Sequence, residues 1–286
     1  MTPRQTPGMQ LCKWCGATLS PHQAVTTKSC GAQECERQRT VALSRAVADR
    51  RAQEHQDLKD ALANEHADQI AALLSLHGLE TGDVRIAMTP YNAGELSVLS
   101  DQRRADLEAH LAMVAAEGFA IEDPESLSWP AQRRSAILPE PAVADAACAT
   151  CQGGCCRPGG PSWGFIGKEE VCRYRIANPN AGAEDFQQYY LDHLPEQSVT
   201  DSCVFQSNTG CTLSRVDRST LCNTFLCRGV KTMLTEREAG GEVSTIFIAQ
   251  ENGTAFNVGV FDPERGFLST ERIASDRATQ HDNAAD

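Results

Sequence analysis

The cysteines constrain this chain more than any other feature: there are thirteen in 286 residues, and they are not scattered. Cys12, Cys15, Cys30 and Cys35 form one block; Cys148, Cys151, Cys155, Cys156, Cys203, Cys211, Cys222 and Cys227 form a second. Cys172 stands alone in EEVCRYRI and reads as a small buried hydrophobe. No cysteine lies between Cys35 and Cys148, so the blocks pose two separate problems for the fold. Paired thiols either close disulfides or ligate metal, and the redox compartment decides which. The opening MTPRQTPGMQLCKWCG lacks the apolar core of a secretory signal. No run approaches the ~20 apolar residues of a membrane span. A cytoplasmic setting with metal ligation is therefore expected, and an odd thiol count fits a disulfide framework poorly. Small domains with thin cores take metals as staples.

In the first block CKWCG and CGAQEC give C-x2-C…C-x4-C. Two thiolates two residues apart can turn onto one ion, and a second pair completes a tetrahedral shell, for which zinc is the expected metal. Pro21 and its neighbours read as a loop between the two pairs, with His22 a loop residue and not a ligand. Residues 10 to about 50 resemble a small bacterial zinc ribbon or treble-clef knuckle that runs into an arginine-rich helix. That helix carries Arg37, Arg39, Arg45, Arg50 and Arg51, a place where nucleic acid could dock. The formal charge of −12 over the whole chain opposes that reading.

The second block reads CATCQGGCC, CVFQSNTGC and RSTLCNTFLCRG. Its eight thiols suffice for two four-thiolate shells, or for one 4Fe-4S cluster plus a structural zinc. Gly153 and Gly154 permit the sharp turn that brings successive thiols together. The vicinal pair Cys155–Cys156 points two ways and reads as a joint between two sites. The block resembles the CxxCxxCC family of zinc- or iron-chelating proteins (YkgJ-like). It keeps a helix at Lys168, Glu169 and Glu170, then Cys203 with Phe205, Gly210 with Cys211, Arg218, Cys222, Phe225 and Cys227. It departs from the family pattern at Val204, Ser214, Ser219 and Asn223. The resemblance implies metal chelation. Flagellin lysine methylase has a similar cysteine motif, which implies an iron–sulfur cluster tied to methyl transfer. This chain shows no glycine-rich nucleotide loop and no C-x3-C-x2-C triplet, so that activity does not carry over.

Between the blocks, residues 36–77 lack Pro and Gly and predict one long helix ending at Gly78. Leu43 with Val47, Leu58 with Leu62, and then Ile70, Leu73 and Leu74 make a narrow apolar stripe, as in a solvated helix that pairs with another helix. His55, His66 and His77 share one face about 16 Å apart at ~1.5 Å per residue and read as surface residues. A second helix is predicted over residues 100–117, stopped by Gly118. Residues 120–147, with Pro124, Pro130, Pro139 and Pro141, read as a linker. The runs 243–249 and 254–261 flank Asn252–Gly253, a hairpin signal.

The expected fold is α+β in small metal-stabilised domains: a zinc knuckle (10–40), a helical spacer (41–119), the linker (120–147), an irregular cysteine-rich domain ending in a β-hairpin (148–270), and a flexible tail (271–286). No H-E-x-x-H, nucleophile triad or phosphate loop is present, and His193 is the lone histidine of the second block. The expected role is that of a metal-binding adaptor with a protein partner. An iron–sulfur redox or protein-modifying enzyme is the alternative, and a DNA-binding regulator a weaker one.

Overall fold

The computed structural model describes residues 10–80, 82, 84–127 and 141–273. The chain divides into two compact units, one up to Asp60 and one from Ala61.

The first unit is the knuckle and most of a long helix. Helix α1 (Pro21–Thr26) replaces the loop expected between the cysteine pairs. Ser20 and Gln23 cap it reciprocally, with proline at its first position. Helix α2 (Gln33–Glu65) follows, held along its surface by Glu34–Arg37, Glu36–Arg39, Gln53–Asp57 and Gln56–Asp60 pairs. The single helix expected over residues 36–77 is interrupted. His66, at φ −109° and ψ 21°, separates α2 from α3 (Ala67–Leu76), which buries Ile70, Leu73 and Leu74 and packs against the sheet.

The second unit is built on a four-stranded sheet in the order β1-β6-β7-β8. Strand β1 (Val84–Pro90) lies within the segment expected to be a helical spacer. It pairs in parallel with β6 (Ser244–Glu251), from Val84 opposite Ser244 to Pro90 opposite Gln250. A parallel pair cannot be joined by a tight turn, and the crossover from β1 to β6 contains the whole second cysteine block. Within it come β2 (Leu96–Ser97), α4 (Asp101–Phe119), α5 (Pro141–Cys151), α6 (Lys168–Ala177), α7 (Ala183–Asp192) and β3 (Ser198–Val199). Strands β4 (Gln206–Ser207) and β5 (Gly210–Cys211), then α8 (Thr220–Thr224) and α9 (Arg228–Gly240), complete it. The expected hairpin is present: β6 turns at Asn252 (φ 52°) and Gly253 (φ 82°) into β7 (Thr254–Asp262), and β8 (Gly266–Arg272) adds a third antiparallel strand.

Two cores support the later cysteines. Ala87, Val143, Ala144, Ala146, Ala147, Val230, Met233, Phe247 and Phe261 join α5 and α9 to the sheet. Leu107, Leu111, Val171, Phe186 and Phe205 form the centre of a second cluster in which α4 packs on α6 and α7. Residues 141–147 are therefore not linker. Their small side chains let α5 lie close on the sheet, and proline at a helix's first position costs no hydrogen bond. Residues 128–140 of the expected linker, with Pro130 and Pro139, lie outside the described residues. So do residues 274–286 of the expected tail, whose first residues belong to the fold: Arg272 ends β8 and Ile273 is buried. His77 is not a bare surface residue either: its Nε2 lies 2.7 Å from Ser269 Oγ and ties the end of α3 to β8.

Candidate metal centre

The first cysteine block closes on itself. Cys12 and Cys15 flank a tight turn in which Gly16 N–H donates to the Cys12 carbonyl at 2.9 Å and Gly16 takes a left-handed φ of 74°. Gly31, directly after Cys30, has φ 83°, and Cys35 sits in the first turn of α2. The Sγ atoms of Cys12, Cys15, Cys30 and Cys35 all lie within 4.8 Å of one another, with Cys15 and Cys30 at 3.5 Å. That is a donor set able to hold a metal ion, and thiolate-only donors suit zinc or iron. Cys12 and Cys35 are buried, and they share the small core of this unit with Leu19 and Ala24, against which Trp14 and Cys30 pack. Burial opposes ionisation of Cys12. Backbone N–H groups of Trp14, Cys15 and Cys30 outweigh it and lower that thiol to about 6. The Cys35 thiol is raised, first by Cys15 and then by burial and the other two sulfurs. His22 is exposed on α1.

A groove of about 570 Å³ beside the knuckle is lined by Trp14, Arg37, Gln38, Val41 and Arg45, among others. Arg37 is held by Glu34 and Arg39 by Glu36, each at 2.8 Å, so two of the five arginines that suggested nucleic acid are already neutralised.

The second block is carried by several elements. Cys148 and Cys151 lie on the last turn of α5, Cys155 and Cys156 in the turn after it, Cys211 on β5, Cys222 on α8, and Cys227 just before α9. The sheet fixes where this begins: Asn257 Nδ2 donates to the Thr150 carbonyl at 3.1 Å, and Asn92 N–H to the Cys151 carbonyl at 3.1 Å. The thiols are neighbours in a chain. Cys151 contacts Cys155, and Cys155 contacts Cys156. Beyond those contacts the influence of one thiol on another is weaker than that of burial: Cys148, Cys151 and Cys203 act on Cys156, Cys211 and Cys222 on Cys203, and Cys151 on Cys227. Among the described residues, the knuckle quartet is the group of sulfurs drawn within 4.8 Å; the later eight are neighbours without being drawn so tight. Cys172 is fully buried on α6, and the Nδ1 of His193 lies 2.7 Å from the Tyr189 carbonyl.

Two departures from the resembled pattern acquire a physical reason here. Ser219 caps α8, its Oγ accepting the Cys222 N–H at 3.2 Å. Asn223 is buried, and its Nδ2 donates to the Arg215 and Arg218 carbonyls at 2.7 and 3.3 Å. Removing the cap by Ser219→Ala should cost about 1 kcal/mol, read as a lowered urea midpoint at unchanged slope.

Sequence reasoning missed Asp145, which fell in the expected linker, and Arg215. Both belong to a cluster of charged side chains beside the thiols, in which one carboxylate joins two arginines. Arg218 Nη1 and Arg215 Nη2 donate to Asp145 Oδ1 at 2.8 and 3.0 Å, and Arg218 Nε donates to the Leu213 carbonyl at 2.9 Å. Burial works against the Arg218 charge, but Cys211 and Asp145 hold it on and its pKa is raised. Asp145, Cys211, Ser214, Arg215 and Arg218 line a cavity of about 440 Å³.

No protein-family profile, curated protein or solved structure matches this chain. Its chemistry is therefore read from its own thiols. Burial pushes the Cys203 thiol up from 9.0 to about 12, and burial likewise raises Cys148 and Cys227. The folded apo protein thus keeps protons that an unfolded chain releases as pH passes 9.0, so stability falls with rising pH there. Denaturation of the reduced, metal-free protein should show midpoints that decline as pH climbs from 9.0 toward about 12. A flat profile would show that the thiols are not desolvated.

Proposed function

We propose that this protein is a cysteine-ligated metalloprotein in which an N-terminal zinc knuckle and a second, cysteine-rich metal centre act as rigid platforms for a protein partner. The observation that carries this reading is the convergence of four sulfur atoms within 4.8 Å in the knuckle. A full sulfur shell leaves no open position for substrate, which favours a structural role over a catalytic one. No helix among the described residues is long and apolar enough to cross a membrane.

For the second block, the neighbour relations support two four-thiolate shells. Cys148, Cys151, Cys155 and Cys227 make one, and Cys156, Cys203, Cys211 and Cys222 the other. The vicinal pair is then the joint between them, with Cys155 in contact with Cys151. The resemblance to the CxxCxxCC chelating family supports the same use of these residues. A 4Fe-4S cluster is the second reading, favoured by the unbroken run of neighbouring thiols, and it would move the role toward redox or protein modification.

The test is zinc, iron and acid-labile sulfide content of protein purified without oxygen, with an absorption spectrum. Colourless protein with zinc in both blocks supports the platform reading. Brown protein with iron and sulfide assigns the second block to a cluster. Protein that binds no metal in the knuckle, fully reduced, sinks the proposal.

A further inference from the structure

Helix α2 poses a physical problem that its own unit does not solve. From Glu36 to Ala61 none of its residues is buried, a length of about 39 Å at ~1.5 Å per residue. Helices in water draw most of their stability from burying one face, and surface pairs add only a few tenths of a kcal/mol each. Yet α2 carries large apolar side chains that it leaves in solvent: Leu43 is 55% exposed and Val47 46%.

Leu43, Val47, Arg50, Glu54 and Leu58 step along the helix at intervals of four, three, four and four residues. At ~100° per residue they fall within a stripe about 80° wide. Its order is apolar, apolar, basic, acidic, apolar. Reversed, that order complements itself. A second copy laid antiparallel, with the two-fold axis near Ala52, brings Arg50 against Glu54 of the second copy and Glu54 against its Arg50. Leu58 meets the Val47 of the second copy, and Leu43 closes over the outer side of Leu58 at each end. Parallel alignment would instead set Arg50 on Arg50 and Glu54 on Glu54. The rest of the helix follows the same asymmetry. Arg37, Arg39, Arg45, Arg50 and Arg51 precede residue 52 with Glu34, Glu36 and Asp49, while Glu54, Asp57, Asp60 and Glu65 follow it with Lys59. Antiparallel pairing puts the basic half of each helix over the acidic half of the other.

We propose that the Leu43–Leu58 stripe of α2 is the seam of an antiparallel homodimer of this protein. The seam uses no cysteine, so it stands or falls independently of the metal in either block.

The experiment is sedimentation velocity of the full-length, metal-loaded, reduced protein over a wide range of concentration and salt. A dimer that weakens with added salt is expected, since the central Arg50–Glu54 contacts are screened. Val47→Glu should weaken dimerisation about ten-fold or more, a change of ~1.4 kcal/mol or above. It should leave the helical circular dichroism and metal content unchanged, because the position is exposed in the single chain. Arg50→Glu and Glu54→Arg should each weaken the dimer, and the double exchange Arg50→Glu/Glu54→Arg should restore it. That rescue is specific to the antiparallel seam. A chain that stays monomeric at every concentration overturns the proposal. So does a dimer that Val47→Glu leaves intact, or a double exchange no better than the single ones.

Discussion

Removing the metal from the knuckle is expected to unfold residues 10–35 while the sheet-bearing unit stays folded. The reason is the composition of the knuckle's core. Its buried members are Cys12, Leu19, Ala24 and Cys35, with Trp14 and Cys30 packed on them. Three of those six are ligands, and Leu19 is the only large aliphatic side chain among them. Ordering each residue costs ~1–2 kcal/mol of backbone entropy, which so few apolar atoms cannot offset. Structural zinc sites supply on the order of 10–16 kcal/mol to folding. Cys35→Ser should act like chelation, because Cys35 is both a ligand and the link to α2. Hydrogen exchange read by mass spectrometry checks this. Residues 10–35 should lose protection under chelator or in Cys35→Ser, while the α4 segment around Leu107 and Leu111 keeps it. Unchanged protection in the knuckle would mean that its fold does not depend on metal.

Gly229→Ala is expected to be the most damaging single methyl in the second unit. A Cβ at Gly229 would clash with the Met88 carbonyl oxygen and lie 2.7 Å from its carbon. Neither partner can swing aside, since Met88 is held in β1 opposite Ile248 of β6, and Ile248 is fully buried. Relief needs α9 to move as a body, which strains the packing of Val230 and Met233 on the sheet. Overpacking without a rotamer escape costs ~3 kcal/mol or more. Because Cys227 occupies the position just before α9, the same movement displaces a candidate ligand. Gly229→Ala should therefore lower both the urea midpoint and the metal retained by the second block. Gly240→Ala is the control on the same helix: its Cβ would come no closer than 3.6 Å, to Arg85 Nη2, and it should be neutral. Equal behaviour of the two variants would overturn the argument.

Local features were legible from the chain alone. The knuckle was readable because all four ligands fall between Cys12 and Cys35, and because a glycine follows both Cys15 and Cys30 where the turns need left-handed backbone. The β6–β7 hairpin was readable because Asn252 and Gly253 both tolerate positive φ. Helix α5 was hidden by its surroundings. Pro141 and the prolines before it suggested a linker, and its alanines carry little hydropathy, although Ala146 and Ala147 are among its most buried residues. The break at His66 was likewise unreadable, since nothing in the composition of residues 36–77 distinguishes that position.

The sequence by itself determined the thiol inventory, the knuckle spacing and the one hairpin. Each depends on residues close along the chain, whose allowed backbone angles are set by their neighbours. Only the tertiary structure decided that VRIAMTP is an edge strand beside β6, and that Asp145, Arg215 and Arg218 meet next to Cys211. These are contacts between segments far apart in sequence, each satisfied by burial and hydrogen bonding across the fold, and such contacts leave no periodic mark on the residues that make them.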